Sequence, residues 1–365
     1  MTKLHELSDL GQAVWIDYIS RSLITTGRLT ELVDEGIRGL TSNPTIFEKA
    51  IAGSSDYDRE MARLAGEGKS VEEIYEALVL KDIGDAADIL RPLYDRTNGK
   101  DGYVSLEVSP ALAHDTAGTI ADARRLYKIL GRPNVMIKVP ATLEGIPAIE
   151  TLIGEGINVN ATLIFSLTHY QAVAGAYLNG LEILAAASGD LSRVASVASF
   201  FISRIDTTVD KELDKRNVID LQGKIAIAAA QTAYARFQKI FSGELWSRLS
   251  SPGARVQRPL WASTGTKNPL YPDTLYVDSL IGPDTVNTVP PATMEAFLDH
   301  GAVAPTIATD LEEARDLLLR LDESGIDLDA ITQKLQDDGV ASFAKSFEIL
   351  LASIAEKIEL FKTRV

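Results

Sequence analysis

The chain's 365 residues are enough for one large α/β barrel or two ordinary domains, and a 45% hydrophobic content can bury a sizeable core. A formal net charge of −15 argues against nucleic acid or an anionic membrane as partner, so any anionic substrate needs a locally basic pocket. There is no cysteine, which excludes disulfides and thiolate catalysis.

The opening MTKLHELSDLGQAV lacks the basic segment and apolar core of a secretory signal, and no uncharged run reaches membrane-spanning length. A cytoplasmic protein is expected. The first strand-like runs are AVWIDYI (13–19) and GIRGLTSN (36–43). Ser70-Val71-Glu72-Glu73 has the form of a capping box opening a helix through IYEALVL, and a further amphipathic segment, DAADILRPLYDRT, leads to YVSLEV (103–108). VMIKVPA (135–141), INVNATLIF (157–165) and VASVASFFIS (194–203) follow. After the Ala-rich helical stretch 224–241 come RPLWAST (258–264) and DTVNTVP (284–290). Thr309-Asp310-Leu311-Glu312 suggests a second capping box, and residues 340–363 a last helix. Eight strands alternating with helices predict an α/β fold of the (β/α)8 TIM-barrel type, with residues 1–365 one domain and 305–365 a C-terminal helical extension packed on it. A doubly wound sheet with a helical C-terminal domain is the alternative.

The run VMIKV is apolar on both parities, the pattern of a strand covered on both faces, yet it holds Lys138. An ammonium there must be paired, reach water or lose its proton. Other runs also turn polar toward their C-terminal ends. Asp17, Asn43 and Glu107 close the first three, and Asn158, Asn160 and Thr162 share one parity in the fifth. Ser199 and Ser203 share one in the sixth with Arg204 just beyond, Thr264 ends the seventh, and Asn287 and Thr288 sit in the eighth. Each has a plain structural reading: Asp17 caps a turn, Asn43-Pro44 is a turn, Arg204 and Asp206 form a surface pair. Jointly they converge on the one mouth where α/β barrels build their sites.

The four histidines fall in predicted helices or loops, and neither a GxGxxG after a strand nor a GxxxxGK[ST] is present, so metal, hydride and phosphoryl-transfer chemistry lose support. Amine chemistry is left. A buried lysine with a depressed pKa attacks carbonyls and forms a Schiff base, and a carboxylate that moves hydroxyl protons is its natural companion. The structural alternative for Lys138 is an ion pair with Glu107 on the neighbouring strand. Lys267, in STGTKNP, is the rival nucleophile, better suited to a solvated or phosphate-binding role.

GLTSNPTIFEKAI (39–51), VSLEVSP (104–110), NVMIKVPAT (134–142), GINVNATLIFS (156–166) and SFFISRID (199–206), in that order, resemble the transaldolases, and most of all the longer bacterial ones of the pentose phosphate pathway. What the resemblance implies is a class I aldolase-type barrel that moves a dihydroxyacetone unit between sugar phosphates. Sedoheptulose 7-phosphate and glyceraldehyde 3-phosphate would give erythrose 4-phosphate and fructose 6-phosphate, with no cofactor and no metal. It places the Schiff base on Lys138 and gives Asp17 the C4-hydroxyl proton. Glu107 would relay protons through a water that Thr162 helps to hold. Asn43 and Asn160 would bind hydroxyls of the three-carbon unit, and Ser199 and Arg204 the phosphates.

Fructose-6-phosphate aldolases of the same superfamily carry Tyr where Phe201 falls and Gln where Glu107 falls, so both positions follow the transferase pattern. An aldolase that releases the fragment is the runner-up, and a barrel turned binding protein the reading from another class. Ser199-Phe200-Phe201 lacks the Pro common at its second position in relatives, and Arg236, in the Ala-rich helical stretch, is the candidate weighed as a second phosphate-binding arginine against a surface position. The expected partners are small-molecule sugar phosphates, with no nucleic acid and no membrane, in a monomer or a homodimer.

Overall fold

A computed structural model describes residues 1–362; residues 363–365, the last of the predicted extension, lie outside those described. Eight parallel strands close into a barrel in sequence order: β1 (Gln12–Ile16), β2 (Gly39–Thr41), β3 (Tyr103–Glu107), β4 (Val135–Pro140), β5 (Val159–Ile164), β6 (Ser196–Phe201), β7 (Arg258–Ala262) and β8 (Thr285–Val289). Every strand residue is buried, because helices cover the outside of the barrel and side chains fill its inside. This is why the runs read as apolar on both parities. The doubly wound alternative is excluded by closure of β1 on β8, in register from Gln12↔Thr285 to Ile16↔Val289.

The core tolerates no slack at β2. A Cβ on Gly39 would stand 2.6 Å from the Trp15 indole, which packs flat across that position from β1. β5 carries the one irregularity of the barrel wall among the described residues. Its register to β6 shifts between Ala161 and Ile164, and Leu163 holds φ +58. A non-glycine residue in the left-handed region is strained, and bulges of this kind re-aim the side chains beside them. The neighbour here is Thr162.

Several helix boundaries differ from the expected ones. IYEALVL and DAADILRPLYDRT are one continuous helix, Val71–Arg96, opened by the Ser70–Glu73 capping box as predicted. The second box does not form: helix Leu311–Glu323 is capped by Asp310 without a side-chain bond, and the Thr309 hydroxyl turns back to the Thr306 carbonyl. The last helix starts at Leu328, twelve residues before the predicted 340, and runs to Lys362.

That last helix crosses the C-terminal end of the barrel. Gln336 donates from its amide to the carbonyls of Ala141 (2.9 Å) and Leu163 (3.0 Å), joining it to the ends of β4 and β5. Ser346 bonds Thr45, and Lys357 bonds Asp58 and the Ile51 carbonyl, fixing it along helix Pro44–Ala52. Gly339 makes the close crossing: a Cβ there would lie 3.0 Å from Leu163 and 3.8 Å from Arg204. No helix among the described residues is long and apolar enough to cross a membrane.

Candidate active site

The C-terminal strand ends surround a cavity of about 310 Å³ lined by Asp17, Lys138, Thr162, Ser199, Phe201 and Arg204, among others. Parallel register brings three of the predicted residues side by side, Glu107 opposite Lys138 and Lys138 opposite Asn160. Lys138 is 4% exposed; its Nζ donates to the Ser42 carbonyl at 3.2 Å and lies 3.5 Å from Glu107 Oε2. Phe343 of the last helix closes over it, the ring centroid 5.7 Å from the nitrogen.

The ion-pair reading of Lys138 can be judged against buried pairs elsewhere in the molecule. Arg258–Asp101 closes to 2.9 Å, and Arg21–Asp82 to 2.5 Å with the Tyr57 hydroxyl donating to the second carboxylate oxygen. Both of these pairs draw in to hydrogen-bonding distance, as charge-assisted pairs do. Lys138–Glu107 does not: the contact is long, and Glu107 Oε2 is buried without a hydrogen-bond partner among the described residues. The Thr162 hydroxyl is equally buried and equally without a partner. Orphaned polar atoms of this kind are places for a water or a reacting group.

Asp17 follows directly after β1, its N–H bonded to the Val289 carbonyl. Its carboxylate accepts from Thr41 at 2.7 Å, and Thr41 shares a 2.6 Å hydrogen bond with Thr288. Burial raises the Asp17 carboxyl above its usual range, while the Lys138 charge and the Thr41 bond pull it back. Burial also lifts Glu107, to about 6, again opposed by Lys138. Burial thus pushes both acids toward their protonated forms, and Glu107, at about 6, is poised to exchange protons near neutrality, as general acid–base catalysis requires.

Arg204 stacks its guanidinium over Phe201, 5.5 Å from the ring centroid, and has no ion-pair partner among the described residues. Its surface-pair reading with Asp206 fails: Asp206 is buried on the other side of the helix, accepting from Ala226 N and Tyr276. Ser199 faces the cavity and donates to Asn160 Oδ1 at 2.7 Å, while the Asn160 amide donates to Ser105. Asn160 thus sits beneath the cavity, linking β3, β5 and β6, rather than on its lining. Asn43 lines the cavity and caps helix Pro44–Ala52 by accepting from Ile46 N.

Asn158 and Arg236 lie away from the mouth. Asn158 precedes β5 and binds the Pro133 and Val135 carbonyls and Ala195 N, so sharing parity with Asn160 does not bring it to the site. Arg236 is not on the lining. The basic side chains that do stand there besides Lys138 and Arg204 are Lys267, in the loop after β7, and Lys49, which no sequence signal singled out. Thr41 and Phe343 were missed as well. Thr41 lay in the TSNPT run, but a far helix could not be placed over the mouth from sequence spacing.

The residues 14–354 match the family model for transaldolase/fructose-6-phosphate aldolase. The chain is 51% identical over 360 residues to a transaldolase of Parafrankia sp. and 49% over 360 residues to one of Thermobifida fusca, each alignment covering 97% of this chain and 98% of the relative. A transaldolase of Trichodesmium erythraeum is 47% identical over 370 residues, covering 98% of this chain and 97% of the relative.

Proposed function

The chain belongs to the transaldolase/fructose-6-phosphate aldolase family and is a transferase with transaldolase activity; we propose that Lys138 carries its Schiff base. The observation behind this is a buried amine that opens onto the cavity holding Asp17 and Arg204 while only loosely paired to Glu107.

Lys138 Nζ adds to the C2 carbonyl of a ketose phosphate, giving a carbinolamine. Glu107, across the 3.5 Å gap, gives its proton to the departing hydroxyl through a water held with Thr162, and the nitrogen lone pair closes the iminium. Asp17 takes the C4-hydroxyl proton, the C3–C4 bond breaks, and its electron pair moves into the iminium to leave an enamine. The aldose fragment departs, and an incoming aldose phosphate reverses these steps. Arg204 and Ser199 take the phosphate, with Lys49 and Lys267 supplying positive charge at the rim that the acidic chain needs. Asn43 and Asn160 are assigned to hydroxyls of the three-carbon unit. Asn160 reaches them through the Ser199 hydroxyl it anchors.

Transfer is favoured over release because the enamine meets no phenolic acid here. Phe201 packs against Phe165 with ring centroids 5.1 Å apart and presents only carbon to the cavity. The substrates are sugar phosphates, the place is the pentose phosphate pathway, and the cytoplasm is the compartment proposed.

Borohydride trapping with fructose 6-phosphate tests the assignment. A reduced dihydroxyacetone adduct on Lys138, read by peptide mass, supports it. An adduct on Lys267, or none on the folded chain, overturns it.

A further inference from the structure

A second cavity, of about 460 Å³, lies behind the first, between helix Val71–Arg96, helix Thr116–Leu130 and the last helix. Its inner end is Glu107. Lys138 lines the front cavity and Glu107 the rear one, so the 3.5 Å contact between them spans the wall that separates the two, with Ser42 and Asn43 completing it. The rear walls are apolar, with Phe47, Val79, Leu126 and Phe347 among them.

The two openings differ in sign. Lys49, Arg204 and Lys267 stand at the front, where anionic sugar phosphates enter. Glu72, Glu76 and Asp122 stand at the rear, and the one cation there, Arg125, is engaged by Glu76 and Asp122. A sugar phosphate is repelled from the rear; a neutral molecule as small as water is not.

The chemistry supplies such a molecule. Closing the iminium expels one water per donor, and hydrolysing it at the end consumes one. During both steps the sugar phosphate fills the front cavity, and the water is made and used on the Glu107 side of the nitrogen. We propose that the rear cavity is the water passage of the site, through which Glu107 releases the water of carbinolamine dehydration and takes up the water of iminium hydrolysis. This inference rests on the Schiff-base role of Lys138 and the acid–base role of Glu107. The cavity holds on the order of ten waters at about 30 Å³ each. Glu107 lines the inner end of that cavity, and its Oε2 is buried without a hydrogen-bond partner among the described residues. Bulk water thus reaches the acid without crossing the face where the enamine must stay dry. In the dehydration step the Glu107 carboxyl becomes carboxylate, the C2 hydroxyl leaves as water, and the amine nitrogen becomes the iminium, so charge and atoms balance.

The test is to narrow the passage at its outer edge, where folding is least at risk. Ala121 is exposed on helix Thr116–Leu130 and lines that edge. Ala121→Trp, with Ala121→Ser as control and Val79→Phe as an independent block deeper in, is incubated with fructose 6-phosphate in ¹⁸O-water. Enzyme-catalysed ¹⁸O entry at C2 of the recovered ketose is followed. Expected is an exchange rate lower by about tenfold in Ala121→Trp and Val79→Phe, with KM unchanged and the borohydride adduct on Lys138 still formed to the same final extent. Unchanged exchange in both folded blocked variants overturns the passage while leaving the Schiff base in place. Failure of wild-type protein to form the Lys138 adduct overturns the reading beneath it instead.

Discussion

Lys138 Nζ stands 3.5 Å from Glu107 Oε2 across neighbouring strands, within an ion pair's reach but without its closure. Substituting Glu107→Gln keeps the shape and removes the exchangeable proton. Iminium formation, followed by rapid-quench borohydride trapping, is expected to slow by about 10²- to 10⁴-fold, the usual loss of a general acid–base. Wild-type iminium formation is expected to bend near pH 6, where burial places the Glu107 carboxyl, and E107Q to lose that bend. A bend kept in E107Q would assign it to another group.

Arg204 has no ion-pair partner among the described residues, and burial works against its charge, so its guanidinium can take a phosphate. Arg204→Gln is expected to raise KM for fructose 6-phosphate by roughly ten- to a hundredfold, the worth of a hydrogen bond to a charged group. KM for unphosphorylated fructose should hardly move. Equal effects on both sugars would make Arg204 a structural residue.

Much of this was readable beforehand because parallel register carries local sequence into space. Glu107, Lys138 and Asn160 lie in register on consecutive strands, so their alignment followed once eight buried strands were recognised. Asn158 misled because parity fixes a face of the strand and not a height in the barrel. The last helix was legible as a helix but not as a cover. Its placement depends on Gln336 reaching the Ala141 and Leu163 carbonyls and on Gly339 clearing Leu163, contacts separated by well over a hundred residues of chain. The rear cavity was invisible for the same reason: its walls come from three helices that the sequence could not position.

Phe201 offers no hydroxyl to the enamine. Phe201→Tyr is expected to raise cleavage of fructose 6-phosphate without an acceptor severalfold, and to lower transfer to erythrose 4-phosphate. Free dihydroxyacetone and glyceraldehyde 3-phosphate are the products to measure. An unchanged ratio of release to transfer would show that exclusion of water, rather than lack of a proton donor, protects the intermediate.

Gly339 sets how closely the last helix crosses the mouth. Gly339→Ala meets only the end of the flexible Leu163 side chain and should leave activity within twofold, with the better helix former offsetting the contact. Gly339→Leu is a wedge, expected to cost about 1–3 kcal/mol of stability and to raise KM by lifting Phe343 from Lys138. A folded G339L with wild-type KM would show that the helix covers the site without shaping it.

Asp206 gives the chain a pH dependence unrelated to catalysis. Its carboxyl is buried beneath the helix that carries Arg204, accepting from Ala226 N at 2.7 Å and from Tyr276 at 2.9 Å, and burial raises it to about 7 despite those two bonds. The folded chain therefore holds a proton that the unfolded chain, with a carboxyl near the ordinary 3.8, has already released. Between those two values the unfolded state binds fewer protons, so stability falls as pH rises, by an upper bound of roughly 4 kcal/mol across the window. Asp206→Asn keeps an oxygen for Ala226 N and lets the Tyr276 oxygen accept from the new amide. Urea unfolding at pH 5 and pH 8 should show the wild type losing more stability than D206N between the two, with D206N the more stable at pH 8. Equal losses in both proteins would mean that Asp206 stays ionised throughout, its two hydrogen bonds outweighing its burial.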